Sequence, residues 1–181
     1  MFKYILYIVI ILFGVDSYAQ IDYRYRNYTI NNGLSQSSAI TIVQDDLNAL
    51  WVGTQDGLNR YDGKSFEIFT SDDTKGLESE YILCSHKDVN GNLWFGTRNG
   101  LTKYDLHTEH FKTYSIKKGT STTIEDIAED EKGNLWIATA ESGLYRFDIK
   151  TNKFQSFYFL SPSKKTTNIE FTGKEFLLFL Q

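Results

Sequence analysis

Asp88-Val89-Asn90-Gly91-Asn92-Leu93-Trp94-Phe95-Gly96-Thr97 is the stretch that decides the fold, because the chain writes it three times. Upstream stands Asp45-Asp46-Leu47-Asn48-Ala49-Leu50-Trp51-Val52-Gly53-Thr54, and downstream Asp130-Glu131-Lys132-Gly133-Asn134-Leu135-Trp136-Ile137-Ala138-Thr139. Each copy runs on into a Gly-Leu pair (Gly57-Leu58, Gly100-Leu101, Gly143-Leu144) and then an aromatic-Asp pair (Tyr61-Asp62, Tyr104-Asp105, Phe147-Asp148). Two spaced aromatics close each unit: Phe66 and Phe69, Phe111 and Tyr114, Phe154 and Phe157. The tryptophans Trp51, Trp94 and Trp136 lie 43 and 42 residues apart. A fixed period of this length is the mark of a propeller or a solenoid array.

Each unit parses into four short strands. In the second, strand a is expected over Tyr81–Lys87, b over Asn92–Thr97, c over Leu101–Asp105 and d over Phe111–Ser115. Asn90-Gly91 and Lys132-Gly133 are turn dipeptides, and Asn48 holds the glycine place in the first copy. Gly, and next Asn, tolerate the positive φ of a tight turn. Leu101 and Tyr104 are three apart in strand c, as are the two aromatics of strand d, so each pair points to opposite faces. A sheet apolar on both faces must be covered on both, as radially stacked blades are. The expected fold is all-β: a partial β-propeller with units at about 36–70, 79–115 and 122–158 and an incomplete fourth blade over 159–181. The repeated Trp is expected to pack between neighbouring blades, with Gly57, Gly100 and Gly143 completing the structural signature.

The ends carry further expectations. Lys3, the apolar run Tyr4–Phe13 and Ser17-Tyr18-Ala19 read as a signal peptide over residues 1–19, with the mature domain at 20–181. Ten apolar residues are too few to span a bilayer, which takes about 20. Tyr25 and Tyr28 repeat the strand-d spacing, so an outer strand is expected over Tyr25–Ile30. Gly173-Lys174-Glu175-Phe176 aligns with Gly133-Asn134-Leu135-Trp136, which places strand b of the fourth blade there and marks the chain as an N-terminal fragment.

The string Gly-Asn-Leu-Trp-x-Gly/Ala-Thr, Gly-Leu, aromatic-Asp resembles the two-component regulator propeller repeat over about residues 23–157. The resemblance implies the periplasmic sensor region of Bacteroidetes hybrid histidine kinases. It further implies a parent anchored in the inner membrane, with further blades and kinase domains as partners and polysaccharide breakdown products as ligands. No kinase residue carries over onto these 181 positions, so no catalytic residue is expected.

The bare sequence excludes several classes. A formal charge of −4 with no Lys/Arg run beyond two residues argues against nucleic-acid binding. Cys84, alone of its kind, rules out an internal disulfide and is expected buried in a strand. Phosphate-loop, dinucleotide and nucleophile-elbow motifs are missing, so no cofactor is expected. His107, Glu109 and His110 share a c–d turn but read as solvated rather than as a metal site. Asp45, Asp88 and Asp130 are expected to accept backbone hydrogens in the a–b turns. The variable tips of the b–c loops, Gln55-Asp56, Arg98-Asn99 and Glu141-Ser142, are the candidate ligand contacts, with an oligosaccharide as the ligand. A glycan-directed propeller enzyme and a structural or relic propeller are the alternatives.

Overall fold

The structure, a computed structural model, describes residues 25–157, 166–172 and 175–180. The leader at 1–19 lies outside the described residues. Three four-stranded antiparallel sheets follow one another, each in simple up-and-down order. The first holds β1 (Thr41–Gln44), β2 (Leu50–Gly53), β3 (Leu58–Tyr61) and β4 (Phe66–Phe69). The second holds β5 (Ile82–Lys87), β6 (Leu93–Thr97), β7 (Gly100–Asp105) and β8 (His110–Tyr114). The third holds β9 (Ile124–Glu129), β10 (Asn134–Thr139), β11 (Gly143–Asp148) and β12 (Lys153–Phe157). A hairpin of β13 (Thr166–Thr172) and β14 (Glu175–Leu180) follows, supplying strands a and b of a fourth blade. The sheets are the blades of a propeller, and strands a lie side by side in the order β1, β5, β9, β13.

Each a–b turn is built by its aspartate. Asp88 Oδ1 accepts from the backbone N–H of Asn90 and Asn92, both at 2.9 Å. Asp45 does the same for Leu47 and Ala49, and Asp130 for Lys132 and Asn134. The turn needs a left-handed residue, and Asn48 (φ 67°), Gly91 (82°) and Gly133 (77°) supply it. The remaining carboxylate oxygen has a second partner. Asp45, Asp88 and Asp130 accept from Nε1 of Trp51, Trp94 and Trp136 at 2.8, 2.8 and 3.0 Å.

Those bonds aim each indole at the next blade. Trp51 lies among Phe95, Tyr104 and Phe111 of the second blade, with ring centroids 6.0, 4.5 and 6.2 Å away. Trp94 meets Phe147 of the third blade at 5.6 Å. Trp136 shares a buried cluster with Ile169 of β13. Leu101 and Tyr104, three apart, fall in different clusters on opposite faces of one sheet. Burying one such indole removes about 200 Å² from water, roughly 5 kcal/mol at about 25 cal/mol per Å² as an upper figure. Trp51 is as fully buried as Trp94, both at 0% exposure, so a blade at the end of the described array holds its tryptophan no less tightly than the middle one.

The blades approach closely at one position of strand b. A Cβ on Gly53 would stand 2.6 Å from Cγ2 of Ile82, and one on Gly96 2.7 Å from Cγ2 of Ile124. These glycines serve contact with the next strand a; neither has a positive φ.

The N-terminal segment differs from expectation. Residues 25–29 form no strand, and Ile30–Asn32 is a 3₁₀ turn capped by Thr29 and Gly33. Aromatic spacing sets which side chains face a core, but a strand also needs a ladder partner. Here Tyr28 is held by side chains instead: its hydroxyl bonds the Tyr61 hydroxyl at 2.7 Å, and its ring lies 5.5 Å from Phe66. Gly33-Leu34-Ser35 does take the connection role expected of it. Ser35 N–H donates to Asn59 Oδ1 at 2.8 Å, and Leu34 is buried.

Candidate ligand-binding loops

The three b–c loops are copies of one device. Thr54, Thr97 and Thr139 are fully buried at the ends of β2, β6 and β10. Each hydroxyl donates across the loop to a glycine carbonyl: Gly57 at 2.9 Å, Gly100 at 3.0 Å and Gly143 at 2.7 Å. Each also accepts a loop amide, from Asp56, Asn99 and Ser142 at 3.0–3.1 Å. At Gly100 φ is +110°, and a Cβ would stand 2.7 Å from the Tyr114 carbonyl oxygen, so glycine is required. The sequence shows these threonines inside the motif; their hydroxyl geometry is what gives them a role.

A fixed base presents variable tips. Gln55, Asp56, Arg98 and Glu141 are exposed, while Asn99 and Ser142 are half-buried. The Arg98 guanidinium covers the Tyr81 ring at 3.7 Å, and its carbonyl accepts from Ser121 Oγ at 2.6 Å. Asn99 Nδ2 donates to the Glu78 carbonyl at 3.3 Å. Asn99 lines an open polar pocket of about 600 Å³. The rest of that pocket is the d–a connection of the first blade, residues 71–78, including Asp72, Asp73, Lys75 and Glu78. Ser71 Oγ donates a hydrogen bond to Glu80, which holds the Glu80 carboxyl below its ordinary value. The sequence does not mark this connection, because it does not repeat. Its signal was length with several polar residues, which marks any solvated loop equally well.

The opposite face carries inter-blade clasps. Lys87 Nζ reaches Asp46 at 2.9 Å, and Glu129 Oε2 accepts from Val89 N–H at 3.1 Å with His86 Nε2 3.2 Å away. On β9, Asp126 accepts from Ile169 N–H at 2.7 Å, which ties β13 to the third blade; burial pushes its carboxyl above the ordinary value. His107, Glu109 and His110 sit exposed in the c–d turn, where Asp105 accepts the His107 and Thr108 amides at 3.1 Å.

Fold and loops together define a propeller with rigidly based, variable loop tips. Residues 76–99 and 118–141 match the family model described as two component regulator propeller, and the chain carries the repeats of that family. A stretch of 45 residues is 53% identical to Histidine kinase P4 of Formosa agariphila, covering 25% of this chain and 3% of that protein. The match therefore spans a small part of that curated relative. Among solved structures, the extracellular domain of a hybrid two component system from B. thetaiotaomicron aligns with a TM-score of 0.70 at 24% identity, over 80% of this chain and 22% of that one. Virginiamycin B lyase from Staphylococcus aureus aligns at 0.59 and 12% identity, over 72% and 44%. At these identities the likeness is one of blade architecture.

Proposed function

We propose that this chain is an exported, periplasmic ligand-sensing propeller segment of a two-component signal-transduction sensor, and that its ligand is a carbohydrate. The carrying observation is the repeat itself, matched at two positions by the two component regulator propeller model and at 53% identity by a histidine kinase. In this reading the chain contributes recognition, and phosphoryl transfer belongs to kinase domains of the parent protein. The b–c tips and the adjoining 71–78 connection form the recognition surface. Asp72, Asp73 and Glu78 around Asn99 favour a neutral, hydroxyl-rich ligand over an anionic one. The chain acts as a non-catalytic segment, exported by the leader at 1–19 and continued by further blades. A glycan-directed propeller enzyme is the second reading.

Calorimetric titration of the full chain with neutral and uronate-containing oligosaccharides tests this. Saturable binding of a neutral oligosaccharide, lost on Asn99→Ala, is expected. Turnover of the sugar would favour the second reading, and indifference to every oligosaccharide would remove the carbohydrate.

A further inference from the structure

Arg98 and Asn99 make up the whole tip of the second b–c loop, between the paired Thr97 and Gly100. Both side chains turn onto one segment, residues 78–81. The Arg98 guanidinium lies over the half-buried Tyr81 ring, 3.7 Å from its centroid. Asn99 Nδ2 donates to the Glu78 carbonyl at 3.3 Å. The support beneath them is itself fixed. Tyr81 N–H donates to Ser79 Oγ at 3.2 Å, and the Tyr81 carbonyl accepts from Arg98 N–H at 3.3 Å. From the following d–a connection, Ser121 Oγ donates to the Arg98 carbonyl at 2.6 Å.

This arrangement leaves a particular set of hydrogen-bonding groups open. Arg98 is exposed, and none of the ion pairs or side-chain hydrogen bonds among the described residues uses its guanidinium. A carbonyl only accepts, so Asn99 must turn its amide nitrogen to Glu78, which leaves Oδ1 as an acceptor on the same tip. A carboxylate cannot match a donor fork together with an acceptor, because it has no proton to give. Adjacent hydroxyls can, since each accepts and donates. The local charge points the same way: the neighbouring pocket carries Asp72, Asp73 and Glu78 against Lys75. The other two tips, Gln55-Asp56 and Glu141-Ser142, hold no cation, so the second loop stands apart.

On the proposed reading of these loops as a carbohydrate surface, we infer that Arg98 and Asn99 recognise a vicinal pair of hydroxyls on a neutral sugar. Arg98 donates to both oxygens through its planar fork, and Asn99 Oδ1 accepts from one of the two hydroxyls. Tyr81 holds the guanidinium in place, so less side-chain freedom is lost when the sugar arrives. The ligand must therefore present two adjacent free hydroxyls to this tip.

Calorimetric titration of the full chain with maltohexaose, xylohexaose and mannohexaose tests this. Each sugar is used intact and after periodate cleavage of its vicinal diols followed by borohydride reduction. At least one intact sugar is expected to bind saturably, and its cleaved form at least about tenfold more weakly, the scale of losing a hydrogen bond to a charged group. Arg98→Gln should weaken the intact sugar by a similar factor and remove most of the difference between the two forms. Arg98→Lys keeps the charge without the fork and should also lose about tenfold, while both variants keep the parent's urea midpoint. Unchanged affinity in both variants, or equal binding of the cleaved sugar, overturns the inference and leaves carbohydrate recognition standing. Hexagalacturonate binding more tightly than every neutral sugar, and weakening steeply with salt, overturns it by giving Arg98 a carboxylate. Binding of none of these sugars overturns it together with the reading on which it rests.

Discussion

Trp94 donates its indole N–H to Oδ2 of Asp88 across a turn of the same blade, while its ring leaves that blade to pack on Phe147 of the next. The bond therefore orients an interface between blades that it does not itself cross. Trp94→Phe keeps most of the ring but leaves a buried carboxylate oxygen one donor short, with an expected cost of about 1–3 kcal/mol. Trp94→Ala also empties the bed and should cost about 3–5 kcal/mol. Asp88→Ala removes the turn acceptor as well as the indole's. A double-mutant cycle of Trp94→Phe and Asp88→Ala in urea melts should show coupling of at least about 0.5 kcal/mol; additive costs would mean that the bond does not orient the ring.

Gly96 is set by side chains of its own blade and the next rather than by its own backbone. Its added Cβ would meet Cys84 Sγ and Ile124. Gly96→Val should destabilise by about 1–3 kcal/mol or more through overpacking. A paired Ile124→Ala change should recover part of the loss, and a denaturant melt of the double variant showing no recovery would contradict the contact.

Thr97 is the loop anchor that most directly serves the candidate site. Thr97→Val preserves shape but removes the bonds to the Gly100 carbonyl and the Asn99 amide. An expected loss of about 1–3 kcal/mol follows from leaving that carbonyl buried without its donor. Hydrogen exchange should speed up at Asn99 and remain unchanged at Asn134, the distant turn amide.

Acid should weaken the fold through its turn aspartates. Asp62 and Asp148 are held below the ordinary 3.8 by backbone N–H donors, Ser65 first for Asp62 and Thr151 first for Asp148. Burial works against Asp130, yet the hydrogen bonds from Asn134 and Trp136 keep it low as well. A carboxyl whose folded pKa is depressed stabilises above its unfolded value and loses that contribution as pH falls through the folded value. Urea midpoints should thus hold near neutrality and drop below about pH 4. Asp126, raised by burial, acts in the opposite sense, losing its contribution as pH rises through its folded value. A midpoint that climbs steadily from neutral pH to about pH 2 would mean that Asp126 outweighs the turns.

Cys84 should be inert in the native protein. Burial pushes its thiol far above the ordinary range, and the side chain lies in the cluster between the second and third blades. Iodoacetamide at about pH 8 should leave it unmodified until urea unfolds the chain; rapid native labelling would contradict the packing.

The sequence made the blade count, the strand limits and the opposed faces of Leu101 and Tyr104 legible, because period and alternation are local quantities. The Asp-to-Trp bond was hidden although both residues were quoted. A spacing of six means nothing until the turn folds one carboxylate oxygen back over strand b. The strand expected at Tyr25–Ile30 failed for the complementary reason, since alternation cannot report whether a ladder partner is present. The threonine anchors and the 71–78 connection needed coordinates. A hydroxyl's role depends on which carbonyl comes within 3 Å, and a loop that occurs once leaves no period to read.

The overlap of each tryptophan with its neighbour has one more consequence. With its head bonded at home and its ring lodged next door, stability accrues at the junctions rather than in the blades. An array of this kind behaves as a linear nearest-neighbour system. Within the described residues the second blade has a four-stranded neighbour on either side, joined through Trp51 and Trp94, whereas the third has one on one side and the β13–β14 hairpin on the other. Unravelling should accordingly run inward like a zipper from the outer blades, and the amides of β6 should be the last to exchange.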